Sequence, residues 1–154
     1  MFVWRICSRK YQSSAFSGIG GLYVPGRWHF QGHKMIYTSE SLALASLEIF
    51  VHLESSIAPL VAIKAHLPKK LEVHEVKLLD LPINWQDVAS YSLLQKIGQD
   101  WLTSRRTPIL KVPSAIVPVE NNYLFNPEHP EFKVDLEPPV QFKFDQRMWK
   151  PFSA

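Results

Sequence analysis

The 154-residue sequence holds one cysteine, Cys7, so it can form no intrachain disulfide and no zinc cage built on several sulfurs. No stretch approaches the roughly 18 apolar residues of a membrane span. Met1 to Lys10 carries Arg5, Arg9 and Lys10 without the apolar run of a secretory leader, and a cytoplasmic location is expected. Repeats, low-complexity tracts and long charge blocks are absent. Charged residues make up 20% against 46% hydrophobic, which excludes a disordered or fibrous chain. The length predicts a single domain over residues 1–154. A net charge of +3 invites an anionic partner without identifying it.

Glycine is scarce but concentrated, with five of six between Gly18 and Gly32, so backbone freedom gathers in one N-terminal region. Phe2 to Ile6 reads as a strand, followed by a polar loop from Ser8 to Ser17. Arg27 to Phe30 and Met35 to Thr38 read as two strands of a hairpin. Ser39 or Ser41 can cap a helix from Leu42 to Leu53 whose apolar residues cover nearly every face, which predicts a buried helix. Val61–Leu67 and Leu71–Val76 read as strands joined through Pro68-Lys69-Lys70. A second helix over Asp87–Arg106 places Leu94, Ile97 and Trp101 on one face, and Thr107-Pro108 ends it. Ile109–Val119, Phe132–Leu136 and Val140–Phe144 supply further strands. This order predicts an α+β fold, one compact domain with a mostly antiparallel β-sheet and flanking helices.

Familiar ligand motifs fail. Gly18-Ile19-Gly20-Gly21-Leu22-Tyr23 begins like a dinucleotide fingerprint but ends on Tyr23 outside any βαβ context. Gly21 to Gly26 has phosphate-loop spacing, yet Arg27-Trp28 stands where Lys and Ser or Thr are required. His29 and His33 flank Gly32 in a turn and read as solvated side chains, so no metal site is expected.

Glu48 is the one charged residue between Ser41 and Leu53. A carboxylate on an apolar helix costs several kcal/mol, on the order of 2–7 for a polar group alone, unless donors or a cation meet it. The plain account is a structural ion pair, or a helix rotated so that Glu48 reaches water. Arg27 is the candidate cation, because its planar fork matches phosphate and carboxylate oxygens, and Tyr37 on the neighbouring strand offers an aromatic face. Together the three describe a cleft for an anionic, ring-bearing ligand.

These residues resemble the RES domain, a family named for its Arg, Glu and Ser. The resemblance runs over nearly the whole chain: Trp4-Arg5-Ile6, Gly26-Arg27-Trp28, Tyr37-Thr38-Ser39, the Ala43-to-Glu48 helix, Pro113-Ser114, and Asn121 through Asn126-Pro127-Glu128-His129-Pro130. Pro25 replaces a usual glycine, and His29 a usual asparagine. The resemblance implies an ADP-ribosyltransferase-like fold and the toxin of a bacterial toxin–antitoxin pair that consumes NAD+, with water or phosphate as acceptor. It implies catalytic roles for Arg27, Tyr37, Glu48 and Ser114, and substrate binding by Arg5, Arg27 and Tyr37. Glu48 would hold a ribose hydroxyl and offset developing positive charge, Arg27 and Arg5 would grip phosphate, and Ser114 would bond ligand or orient Glu48 or Arg27. NAD+ is then substrate, with no separate cofactor. A co-encoded Xre-like antitoxin is the implied partner, and a homo-oligomer is compatible with it. Asn126 and His129 read as turn residues without a catalytic role.

Two other readings stand beside this one. ADP-ribosyl transfer to a protein uses the same bond cleavage with a different acceptor. A basic nucleic-acid-binding module is suggested by Arg105, Arg106 and Lys111 with five Trp, five Tyr and nine Phe, but positive charge at a helix C-terminus has its own electrostatic reason, and no direct nucleic-acid binding is expected.

Overall fold

The computed structural model describes residues 1–53 and 58–149. Among them eight strands form one sheet: β1 (Phe2–Ser8), β2 (Ile36–Ser39), β3 (Leu60–His66), β4 (Val73–Glu75), β5 (Ile109–Pro113), β6 (Asn121–Phe125), β7 (Asp135–Leu136) and β8 (Val140–Phe142). The order is β4-β5-β6-β2-β1-β3-β7, and β8 also pairs with β3. Every pair is antiparallel except β4–β5. Three α-helices accompany the sheet, α1 (Gly20–Tyr23), α2 (Leu42–Phe50) and α3 (Tyr91–Ser104). The α+β expectation holds. No helix of the described residues is long and apolar enough to cross a membrane.

Side-chain alternation assigns the two faces of the sheet. Register places Trp4 beside Ser39, Ser39 beside Asn122, and Asn122 beside Val112, all on one face. Toward the β4 end this face packs Leu110, Val112 and Leu124 against Leu94 and Trp101 of α3, together with Trp28 and Trp85. Toward the β3 end it packs Ile6, Leu60 and Ala62 against Ala45 of α2. Between the two lie Tyr37, Ser39 and Asn122. The opposite face buries Val3, Ile36, Ala65, Ile109 and Phe125.

Helix α2 begins where a cap dictates. Ser41 is extended (φ −136°, ψ 158°), and its Oγ accepts from the Leu44 amide at 3.0 Å. The helix ends at Phe50, short of Leu53, and only Leu44 and Ala45 are fully buried. It lies on one flank of the sheet with its outer side to solvent, so the expectation of an all-round buried helix is corrected. Helix α3 starts at Tyr91, after a 3-10 turn over Val88–Ser90, and stops where Arg105 turns left-handed (φ 50°) ahead of Pro108.

Several other expectations are corrected. Arg27–Phe30 is not a strand; that stretch forms a turn with one isolated bridge between Gly26 and His29, so no hairpin joins it to β2. The reason is nonlocal: Trp28 is drawn into the core under α3, where Gly98 leaves no room for a Cβ against the Trp28 carbonyl. The segment after Pro68 does not return along β3. That strand is already paired by β1 on one edge and by β7 and β8 on the other, so β4 runs parallel to β5 across the α3 connection. The strand expected over Ile109–Val119 breaks after Pro113, and β6 returns beside it. Ser8–Ser17 contains a 3-10 turn at Arg9–Ser14, and the last two strands shorten to Asp135–Leu136 and Val140–Phe142.

Candidate active site

Glu48 follows Leu44 and Ala45 by four and three residues and therefore shares their face of α2, turned toward the sheet. There two donors converge on one carboxylate oxygen. Ser114 Oγ donates to Glu48 Oε1 at 2.7 Å, and Asn122 Nδ2 donates to the same atom at 2.6 Å. These are short, charge-assisted bonds. Each donor is itself fixed. Ser114 is wholly buried, and its Oγ accepts from the Ile116 and Val117 amides, both at 3.1 Å. Asn122 Oδ1 accepts from Ser39 Oγ at 2.7 Å. No donor among the described residues meets Oε2, and Glu48 as a residue is only partly buried. The carboxylate is thus gripped by one oxygen and offers the other.

The partner of Glu48 is not Arg27. Arg27 Nη1 donates to the Gln86 carbonyl at 3.1 Å and Nη2 to Tyr91 Oη at 3.4 Å, while the guanidinium lies 4.6 Å from the Tyr91 ring centroid. The plain expectation of a direct Arg27–Glu48 ion pair is corrected. Arg27 forms no salt bridge to an acid among the described residues. A chain of contacts still joins the two: Gln86 Nε2 donates to the Ala115 carbonyl at 2.7 Å, and Ala115 follows Ser114, which holds Glu48. Gln95 Nε2 braces the same turn by donating to the Gly26 carbonyl at 3.0 Å.

Tyr37 reaches the site by another route. Its hydroxyl accepts from the Trp28 amide at 3.2 Å and lies 2.8 Å from His29 Nδ1. Burial pushes the Tyr37 pKa far above its ordinary value, against the smaller opposing pull of the Trp28 amide and of the Arg27 charge. It remains a neutral phenol. His29 is only 3% exposed, so the solvated-turn expectation is corrected for it, whereas His33 is exposed.

Arg5 stands apart from this group. Register puts it beside Ile63, on the face opposite Ser39 and Asn122. Its Nη1 donates to the Tyr37 carbonyl at 2.7 Å, where β1 and β2 share a single paired position, and its Nε is buried without an acceptor. Burial lowers the Arg5 pKa from its ordinary value. Asn126 and His129 are structural turn residues: Asn126 Oδ1 accepts from the Glu128 amide, and His129 bonds the Arg105 carbonyl and the Glu131 amide. The basic run that suggested nucleic acid is partly spent, since Lys111 pairs with Glu75 at 3.1 Å while Trp28, Trp85 and Trp101 are buried. No group of three or more His, Cys, Asp or Glu among the described residues could hold a metal ion.

Sequence reasoning missed Asn122, Gln86, Tyr91 and Gln95. Asn121-Asn122 reads as a turn signal, and the other three lie more than fifty residues from Arg27, so only the folded chain brings them to it. A hollow of about 390 Å³ lies elsewhere, among Arg9, Phe142, Phe144 and Trp149.

Fold and site together define an α+β protein with a fixed carboxylate and a guanidinium on two sides of one turn, an arrangement suited to an anionic ligand. The chain belongs to the RES domain family, whose model matches residues 2–146. It is 37% identical to "Toxin Res" of Yersinia enterocolitica over 96% of this chain and 99% of that protein. It is 36% identical to the "Prs ADP-ribosylating toxin" of a Sphingobium species over 94% of each. Its fold is similar to a chain in the crystal structure of the M. tuberculosis MbcT–MbcA toxin–antitoxin complex, with a TM-score of 0.77 at 15% identity, covering 92% of this chain and 84% of that one.

Proposed function

We propose that this protein is a toxin that cleaves the nicotinamide–ribose bond of NAD+, passing the ADP-ribosyl group to water or phosphate. The observation that carries the reading is the Glu48 carboxylate, with Oε1 locked by Ser114 and Asn122 and Oε2 left for a ligand. The leaving ring is cationic in NAD+ and departs neutral with the bonding electron pair, so the reaction needs little from a general acid. It needs a fixed negative charge beside an oxocarbenium-like ribose and a held substrate. Glu48 Oε2 accepts from a ribose hydroxyl and offsets the charge that develops on the ring. The attacking water or phosphate oxygen bonds to the anomeric carbon as the nicotinamide nitrogen leaves, and the proton from water goes to solvent.

Arg27 binds the pyrophosphate. Among the described residues it has no acid partner of its own, and its stack on Tyr91 orients the fork. Tyr37 shapes the floor beside the nicotinamide with its ring, its hydroxyl being committed to Trp28 and His29. Ser114 orients Glu48. Arg5, buried on the opposite face of the sheet, serves the site indirectly, by holding the Tyr37 carbonyl and so the strand that carries Tyr37. A co-encoded antitoxin of the Xre-like kind is the partner that restrains the activity, a reading supported by the relatives named as toxins.

Purified protein incubated with NAD+, with and without phosphate, tests this when products are separated chromatographically. Nicotinamide release by the wild type and its loss in Glu48→Gln are expected; equal release by both would overturn the site. ADP-ribosyl transfer to a protein is the second reading, favoured by the relative named an ADP-ribosylating toxin. It predicts a modified protein in cell extract in place of free ADP-ribose.

A further inference from the structure

His29 occupies the position between the anion-gripping turn and the aromatic floor. One ring nitrogen, Nε2, lies 3.0 Å from the Val24 carbonyl, and the other, Nδ1, lies 2.8 Å from Tyr37 Oη. A carbonyl only accepts, so Nε2 carries the hydrogen. Nδ1 is then bare and accepts the Tyr37 hydroxyl proton, while Tyr37 Oη accepts from the Trp28 amide. The hydrogen-bond chain from Val24 to Trp28 is thus continuous, with Tyr37 Oη both donating and accepting. The chain closes a loop that contains Arg27, and the loop is tight: a Cβ at Gly26 would collide with Tyr37 Oη and the His29 ring.

We infer that His29, as a neutral ring protonated at Nε2, is a positioning residue that sets Arg27 for substrate phosphate, and that protonating it at Nδ1 releases the Arg27 turn. This inference rests on the NAD+-cleaving reading. A second proton at Nδ1 would force Tyr37 to give up its acceptor, leaving the buried phenol proton with no acceptor and a charge in a buried ring. The groups that face His29 do nothing to welcome that charge: Tyr37 from β2 is neutral, and His33 and Arg27 of its own loop are of like sign when charged. Burial accordingly holds the His29 pKa below its ordinary value, against the weaker support of the Val24 and Gly21 carbonyls.

Asparagine is the informative replacement. Its Oδ1 falls near the place of Nδ1 and can accept from Tyr37 without titrating, whereas leucine removes both contacts. NAD+ cleavage is measured from pH 5 to 8 in wild type, His29→Asn and His29→Leu, with KM and kcat resolved, and the His29 imidazole nitrogen shifts are followed by NMR in the wild type. In the wild type KM for NAD+ should rise at least tenfold on the acid side while kcat changes less than threefold, as Nδ1 becomes protonated. His29→Asn should keep wild-type KM within threefold at pH 7.5 and lose the acid rise, and His29→Leu should show the raised KM at every pH. An acid rise shared by wild type and His29→Asn, a wild-type KM in His29→Leu, or NMR shifts of the Nδ1-protonated neutral ring would each overturn the inference. Absence of cleavage by wild type at every pH overturns the NAD+-cleaving reading and this inference with it. Cleavage with a flat profile overturns this inference alone.

Discussion

Removing the Ser114 hydroxyl tests the site and the fold at once, because one oxygen serves both. Ser114 Oγ donates to Glu48 and accepts from two backbone amides. The bond to the carboxylate is of the charged kind, worth about 1.5–3 kcal/mol, and each amide bond is worth about 0.5–1.5 kcal/mol. Solvent can take over one amide, since Ile116 is partly exposed. Ser114→Ala should therefore destabilise the fold by roughly 3 kcal/mol, a large share of the 5–15 kcal/mol that a domain has. With a urea slope of about 2 kcal/mol per molar, the unfolding midpoint falls by about 1.5 M. Glu48 keeps its Asn122 donor but can swing about it, so kcat for NAD+ cleavage should drop about tenfold with KM within twofold. A midpoint shift under about 0.3 M with the same slope, or a loss confined to KM, would refute the assignment of Ser114 as the anchor of a working carboxylate.

Glu48→Gln preserves shape and removes charge, so kcat should fall about 10²–10³-fold with stability nearly unchanged, read by nicotinamide release and by melting. Arg27→Lys loses the two-pronged contact and the stack on Tyr91; KM for NAD+ should rise about tenfold while kcat holds. Gly26→Ala forces a methyl against Tyr37 and His29 and should cost about 1–3 kcal/mol by denaturant titration, raising KM in parallel. For pH, the His29 pKa is lowered in the folded protein, so the unfolded chain binds more protons just below the ordinary value of 6.5. Stability should be full above that pH and fall as pH drops through the folded-state pKa, and His29→Asn should remove this dependence.

What was legible in the sequence was chemistry with a local signature. Ser41 caps α2 because a serine before an apolar helical run is a start signal, and Glu48 stood out because a lone acid among apolar residues must be met by donors. The donors themselves could not be named. Asn122 lies on a strand that its own Asn-Asn pair disguises as a turn; it is tolerated there because Ser39 and Glu48 satisfy its amide. The alternation from Arg27 to Thr38 suggested a hairpin because local pairing is the simplest way to satisfy such a pattern. Burial of Trp28 under α3 and capture of Tyr37 Oη by Trp28 and His29 outweighed it. The first of those forces arises from α3, some sixty to seventy positions away and beyond the reach of any window on the sequence.

That long reach also explains how the two charges of the site stay apart. Two neighbouring charges of opposite sign would form a closed ion pair, and each would then have to be freed before it met a ligand. Here Arg27 spends its donors on the neutral Gln86 carbonyl and Tyr91 hydroxyl, and Glu48 spends one oxygen on Ser114 and Asn122. Neutral partners orient a charge without cancelling it. Gln86, whose main chain receives Arg27 and whose side chain holds Ala115, sets the spacing between the two ends. Gln86→Ala leaves both charges in place and loosens only that spacing. It should cut kcat several-fold while Ser114→Ala in the same background costs less than it does alone, because the two substitutions loosen one turn. Independent, additive losses would show that Gln86 is a surface residue and that the two ends are set separately.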